Sequence, residues 1–185
     1  MRSFFVRDEI LFTGEQIGSF WAYKNYDILG DNIVAFIGPC RIEEKYIIGI
    51  DHFKKKTQIK SERMLHFMAE HFDLDLEKAI LRQKLLVDIL KDKLNHRLKG
   101  DVLQRWGDDL FDSGFKLTVS ATVRTSVSTK IHLGINISSK DTPVKTKGLE
   151  DYGIDPNDIS QAVMDQYRLD MRLISQKLCK TRSIQ

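Results

Sequence analysis

Lys116, Ser120, His132, Gly134 and Asn136 occupy the polar positions of two consecutive alternating segments. From Phe115 onward, Leu117, Val119, Ala121 and Val123 fall on one side. Lys116, Thr118, Ser120, Thr122 and Arg124 fall on the other. After a turn near 125–128, Ile131, Leu133, Ile135 and Ile137 share a face opposed by Lys130, His132, Gly134 and Asn136. Spacing of period two predicts strands. If the strands pair, their polar faces merge into one surface of hydroxyls, a lysine, a histidine and an amide. Such a surface can hold a small polar ligand, and Gly134 with the short Ser and Thr side chains lets it approach the backbone. The plainer alternative, favoured by alternation alone, is the solvent-facing side of a one-sided antiparallel sheet.

Other reactive residues lack partners at usable spacing. His66, His71 and His132 show no HxxxH or HExxH pattern, so no metal site is expected and hydrogen-bonded strand histidines are the better reading. Cys40 and Cys179 form no CxxC pair, which argues against zinc and against a disulfide framework. Cys40 reads as a buried, inert thiol. Positive charge concentrates in Lys54-Lys55-Lys56, Lys60 and Arg63, and again from Lys177 to Arg182. It could meet phosphate or nucleic acid, but a solvated surface is preferred. Trp21, Tyr23 and Tyr26 crowd one apolar segment and read as core rather than as base-stacking platforms, so nucleic acid is not expected as a partner.

The positioning elements are legible in outline. Asn32 to Ile37 predicts a buried strand stopped by Gly38-Pro39, and Tyr46 to Ile50 a second one. The lysine-rich stretch that follows reads as a loop. From Met64, Leu65, Phe67 and Ala69 oppose His66 and Glu70, as in a half-buried strand. Asp73 or Asp75 caps a helix whose stripe is Leu76, Ile80, Val87, Leu90 and Leu94, stopped by Gly100. Asp112-Ser113-Gly114 is a hairpin signal. Asp155, Pro156 and Asp158 start a second helix with the stripe Ile159, Val163, Tyr167, Met171, Ile174 and Leu178.

Composition sets the frame. With 42% hydrophobic and 30% charged residues, the 185-residue chain suits one α+β domain over residues 1–185. No apolar run approaches the roughly 18–20 residues needed to span a bilayer. Met1 to Asp8 lacks the apolar stretch of a signal peptide, so a cytoplasmic location is expected, with no membrane partner.

Three segments then carry a resemblance. Arg105-Trp106-Gly107-Asp108-Asp109-Leu110, Gly114-Phe115-Lys116-Leu117 and Leu133-Gly134-Ile135-Asn136-Ile137 come in this order. They resemble the Lys-Trp-Pro-Asn-Asp-Leu strand, Gly-Lys-Lys-Leu hairpin and Gly-Ile-Asn-Val strand of biotin–protein ligases. Lipoate–protein ligases carry a related version. Ile37-Gly38-Pro39-Cys40 and Gly148-Leu149-Glu150-Asp151 are similar to segments of the archaeal and bacterial family called domain of unknown function 366. Its fold is shared by these ligases and by the class II aminoacyl-tRNA synthetase catalytic domain.

The resemblance implies a mixed or antiparallel sheet flanked by helices. It makes Lys116 the residue that meets the substrate carboxylate and the α-phosphate of an acyl-adenylate, where a flexible ammonium follows developing negative charge. Asp109 matches an aspartate that holds magnesium or orients the lysine. Asp108 stands where the ligases have asparagine, a departure that adds negative charge. Ser120, His132, Gly134 and Asn136 complete the expected ligand site. ATP with magnesium is the implied cofactor set. The implied partners are a small carboxylic acid and an acyl-carrier protein domain, and a homodimer is among the assemblies this permits.

A larger departure is the lack of the Gly/Arg-rich adenylate loop of biotin–protein ligases, or the Arg-Arg-x-x-Gly-Gly-Gly segment of lipoate–protein ligases. The nearest basic loop, Phe53-Lys54-Lys55-Lys56-Thr57, has no glycine to bare its N–H groups to phosphate. Two functions therefore stand. One is a domain that binds, and activates or transfers, a small carboxylic acid through an acyl-adenylate or thioester. The other is a non-catalytic small-molecule or nucleotide-binding module of the same fold. A nucleic-acid-associated relative of the synthetases is a third, carried only by the basic segments.

Overall fold

A computed structural model describes residues 1–54, 59–140, 142 and 144–184. The chain runs through β1 (Arg2–Phe5), α1 (Trp21–Tyr26), β2 (Asn32–Arg41), α2 (Ile50–Lys54) and β3 (Lys60–His71). It continues through α3 (Leu76–Leu98), β4 (Gln104–Trp106), β5 (Asp109–Asp112), β6 (Phe115–Lys116), β7 (Thr118–Arg124), β8 (Thr129–Asn136) and α4 (Pro156–Lys180). The main sheet has the order β1-β2-β3-β8-β7, with β1 parallel to β2 and every other pair antiparallel. A small sheet, β4-β5-β6, stands beside it.

The long helices start where side chains can cap free N–H groups. The Asp75 carboxylate accepts a hydrogen bond from Lys78 N–H at 3.0 Å, and Asp155 accepts from the N–H groups of Asn157 and Asp158. α3 ends as Lys99 turns left-handed, with φ 55°. Leu86, Val87, Leu90 and Leu94 of α3 pack with Ile159, Val163 and Tyr167 of α4 against Ile33, Leu65, Phe67, Ile131 and Leu133 of the sheet. Each such buried side chain stabilises by about 1.5–3 kcal/mol. The predicted stripes extend beyond this contact. Leu76, Ile80, Ile174 and Leu178 are exposed.

The opposite sheet face is also covered, which corrects the half-buried and one-sided expectations. Val34, Phe36, Met64 and Met68 pack there with Phe12, Ala22 and Ile28 from the N-terminal segment. The polar positions on that face are therefore interior. Glu70 and Lys130, each 1% exposed at the side chain, pair at 3.2 Å. Ser128 Oγ and Phe20 N–H donate to the other Glu70 oxygen at 2.8 and 3.0 Å.

Three further expectations change. β2 continues through Gly38-Pro39 to Arg41 by way of a bulge, where the missing proline N–H breaks no ladder. Residues 46–50 form no strand: a 3-10 turn at Glu44–Tyr46 leads toward α2. Of the lysine-rich stretch, Lys54 ends α2, whereas Lys55, Lys56 and Thr57 lie outside the described residues.

Asp112 pairs with Phe115 across a two-residue turn in which Ser113 and Gly114 have φ 49° and 86°, the geometry of a type I′ hairpin. The alternation expected from Phe115 is interrupted at Leu117, where the chain changes sheets. Leu117 N–H donates to Leu110 C=O at 2.9 Å and its carbonyl accepts from Asn136 N–H at 3.0 Å. The β7–β8 register then sets Ser120 opposite Leu133 and Ala121 opposite His132. Ser120 and Thr122 consequently face α3, whereas His132 and Asn136 face the other side, so the strands share no single polar surface.

Candidate functional site

A cavity of about 500 Å³ wraps the β7 edge of the main sheet. Val119, Ala121, His132 and Asn136 line it from the sheet, and Ile17, Ile42, Ile47, Ile48 and Ile59 supply apolar walls. At one end stand Lys116, Asp108, Asp109, Thr118 and Thr146, with Ile80 and Gln83 of α3 beside them. Lys116, Asp108, Asp109, Ser120, His132 and Asn136 thus meet one cavity, but from both faces of its edge strand. Gly134 is roofed instead. The Met64 methyl group lies 2.8 Å from where a Cβ would stand.

Lys116 is held firmly. Its N–H donates to the Lys145 carbonyl at 3.1 Å, its carbonyl accepts from Lys147 N–H at 3.2 Å, and it pairs with Phe111 in the small sheet. Its Nζ lies 2.7 Å from Asp109 Oδ2. Thr118 Oγ1 donates to Asp109 Oδ1 at 3.2 Å and accepts from Leu110 N–H at 2.8 Å. Burial pushes the Asp109 carboxyl above its ordinary range, and the Lys116 and Thr118 contacts only partly offset that. Asp108 is turned outward to Lys84 of α3, 2.6 Å away.

Gln83 joins the α3 side of the site. Its amide donates to Ser120 Oγ at 2.6 Å, and its oxygen accepts from Thr122 Oγ1 at 2.6 Å. Ser120 Oγ donates onward to the Asp108 carbonyl at 2.6 Å. Sequence reasoning passed over Gln83 because it sits between apolar stripe residues with no motif to mark it. The isoleucines of the 42–59 wall were missed because that segment reads as strand and loop.

On the other side, Ser61 Oγ donates to Asn136 Oδ1 at 3.0 Å. His132 Nε2 lies 3.0 Å from His66 Nδ1, and His66 Nε2 lies 3.2 Å from the Gly38 carbonyl oxygen. Desolvation lowers the pKa of both rings, that of His66 to about 3. Cys40 lines the cavity, but burial pushes its thiol up to about 12. Among the described residues no group of three or more His, Cys, Asp or Glu side chains stands together as a metal cluster, and no helix is long and apolar enough to cross a membrane.

Sheet order and flanking helices define the class. The fold is that of the biotin– and lipoate–protein ligases. The biotin protein ligase from Aquifex aeolicus in complex with biotin and ATP superposes with a TM-score of 0.64 at 11% identity, covering 95% of this chain and 72% of that one. Lipoate-protein ligase A bound with ATP gives 0.52 at 10% identity, covering 93% and 86%. The chain itself belongs to the family described as Domain of unknown function (DUF366), which matches residues 1–182. A Protein of Unknown Function from Pyrococcus horikoshi superposes with a TM-score of 0.93 at 30% identity over 100% of this chain and 99% of that one. Uncharacterized protein MJ0805 of Methanocaldococcus jannaschii is 39% identical over 189 residues, 98% of this chain and 84% of that protein.

Proposed function

We propose that the cavity binds a small carboxylic acid, with its apolar body among the isoleucines and its carboxylate at Lys116, and that the protein activates or transfers this acid. The observation that carries the reading is the Lys116–Asp109 pair at one end of a largely apolar cavity. A cation held beside a fixed carboxylate can swing to an incoming anion, and a site of apolar walls with few polar groups suits a small organic acid. The ligase structures of the same fold, solved with biotin and with ATP, support it.

In the activation step an oxygen of the bound carboxylate attacks the α-phosphorus of ATP, forming an acyl-adenylate and releasing pyrophosphate. Lys116 stabilises the negative charge that converges there. The acceptor would be an acyl-carrier protein domain. Magnesium does not fit the groups as they stand, because Lys116 holds Asp109 and Lys84 holds Asp108. In a thioester route Cys40 would not be the nucleophile, since its raised pKa leaves almost no thiolate at neutral pH. The thiol would come from the acyl donor.

The second reading is a binding module without chemistry, favoured by the two lysine-bound carboxylates and by the absence of glycine from Phe53 to Thr57. Pyrophosphate release from ATP with a panel of short and medium-chain acids separates the two. Acid-dependent release supports activation. Thermal stabilisation by acids without release leaves the binding module, and neither response sinks both.

A further inference from the structure

His66 and His132 form a directional relay beside the cavity. The Gly38 carbonyl can only accept a hydrogen bond, so the proton of His66 sits on the Nε2 that faces it at 3.2 Å. Both rings are buried, and desolvation keeps them neutral. His66 Nδ1 is then a bare lone pair, and it lies 3.0 Å from His132 Nε2, which must carry the proton of the second ring. One proton per neutral ring leaves His132 Nδ1 an acceptor. Phe12 stacks on this ring at 4.0 Å and 19°, which holds its orientation.

Among the described residues no donor meets His132 Nδ1. Among the described residues the side-chain atoms sealed from solvent without a partner are Asn32 Oδ1 and Asp73 Oδ1, and His132 Nδ1 is not one of them. The ring lines the cavity, so the open contact of this nitrogen is with the cavity. Its place along the cavity follows from β8. Asn136 N–H is bonded to Leu117, the neighbour of Lys116, and His132 lies four residues back, roughly 13 Å along the strand.

We infer that His132 Nδ1 selects the ligand by accepting a hydrogen bond from an N–H or O–H group at its far end. The acid bound through Lys116 then carries a donor remote from its carboxylate rather than a plain hydrocarbon terminus. This rests on the acid-binding reading of the cavity. His66 acts as a positioning residue, since it fixes which nitrogen of His132 is bare.

The test is calorimetric titration of the full chain with three acids: octanoic, ω-hydroxyoctanoic and ω-methoxyoctanoic. The wild type should bind the hydroxy acid about fivefold tighter than the methoxy acid, the value of one neutral hydrogen bond. His132→Phe should lose that preference while still binding octanoic acid. Because that substitution strips His66 of its donor and could disturb the fold, nitrogen-15 NMR of the wild-type rings supplies a second measurement. It should find His132 protonated at Nε2, with the Nδ1 resonance moved by the hydroxy acid and not by the methoxy acid. Equal binding of the hydroxy and methoxy acids, or a proton on His132 Nδ1, overturns this inference and leaves the acid site standing. No binding of any acid overturns both.

Discussion

Lys116 Nζ lies 2.7 Å from Asp109 Oδ2, so the ammonium that would meet a substrate is also the counter-ion of a half-buried carboxyl. Lys116→Ala should lower acid-dependent pyrophosphate release by on the order of 10²–10³. Lys54→Ala, exposed at the end of α2, should change it far less. The lysine looks in sequence like a solvated residue after a turn, yet its loss should also cost about 1–2 kcal/mol, because Asp109 is left unpaired. Adding Asp109→Asn should recover part of that cost. Urea unfolding of the two single variants and the double variant measures the coupling, and strictly additive costs would contradict it.

Gln83 clamps two hydroxyls of β7, and through Ser120 the clamp reaches the Asp108 carbonyl. Gln83→Leu keeps the volume but leaves Ser120 and Thr122 short of partners, at about 1–3 kcal/mol in unfolding free energy. Lys84→Ala, which removes only a half-exposed ion pair, should cost under about 1 kcal/mol. Indistinguishable midpoints for the two variants would remove the clamp from the account.

Stability should fall with acidity. His66, His71 and His132 have pKa values depressed by burial, so below pH ~6.5 the unfolded chain takes up protons that the folded chain refuses. The contribution is fully present above that pH and is lost as pH falls toward the folded value, about 3 for His66. The slope approaches about 1.4 kcal/mol per pH unit for each histidine. Denaturant unfolding between pH ~4.5 and ~7.5 measures it, and a flat profile would refute the neutral buried rings.

Gly38 marks a close crossing of backbones. A Cβ there would stand 2.0 Å from the Ile10 carbonyl oxygen, backbone that no side-chain rotation can move. Gly38→Ala should cost about 3 kcal/mol or more, the upper range of overpacking. It should also disturb the carbonyl that orients His66. Gly100→Ala meets nothing within 4 Å and serves as the control. Equal thermal midpoints for the pair would contradict the crossing.

Local order was readable wherever a residue's own neighbours in sequence determine it. Asp75 and Asp155 cap helices because a side-chain oxygen two or three residues before a free N–H reaches it regardless of the rest of the chain. Ser113-Gly114 turns because it can adopt positive φ. The ligase-like fold entered by resemblance instead, through the order of the three motifs around Asp109, Lys116 and Asn136.

What period-two spacing could not contain is which residues of two strands oppose each other. The strands around Ser120 and His132 alternate equally well in either register, and a shift of one residue exchanges the faces. The sheet switch at Leu117 decided it, setting Ser120 opposite Leu133 and turning the hydroxyls toward Gln83 of α3. The covering of the second sheet face by Phe12 and α1, which made His132 interior, was likewise a matter of long-range packing. By itself the sequence determined the two long helices and the Ser113-Gly114 turn, and the resemblance of its motifs grouped Asp109 with Lys116. Only the tertiary structure decided that His132 looks into the cavity from one face and Ser120 from the other, because strand register and layer packing are settled between residues far apart in the chain.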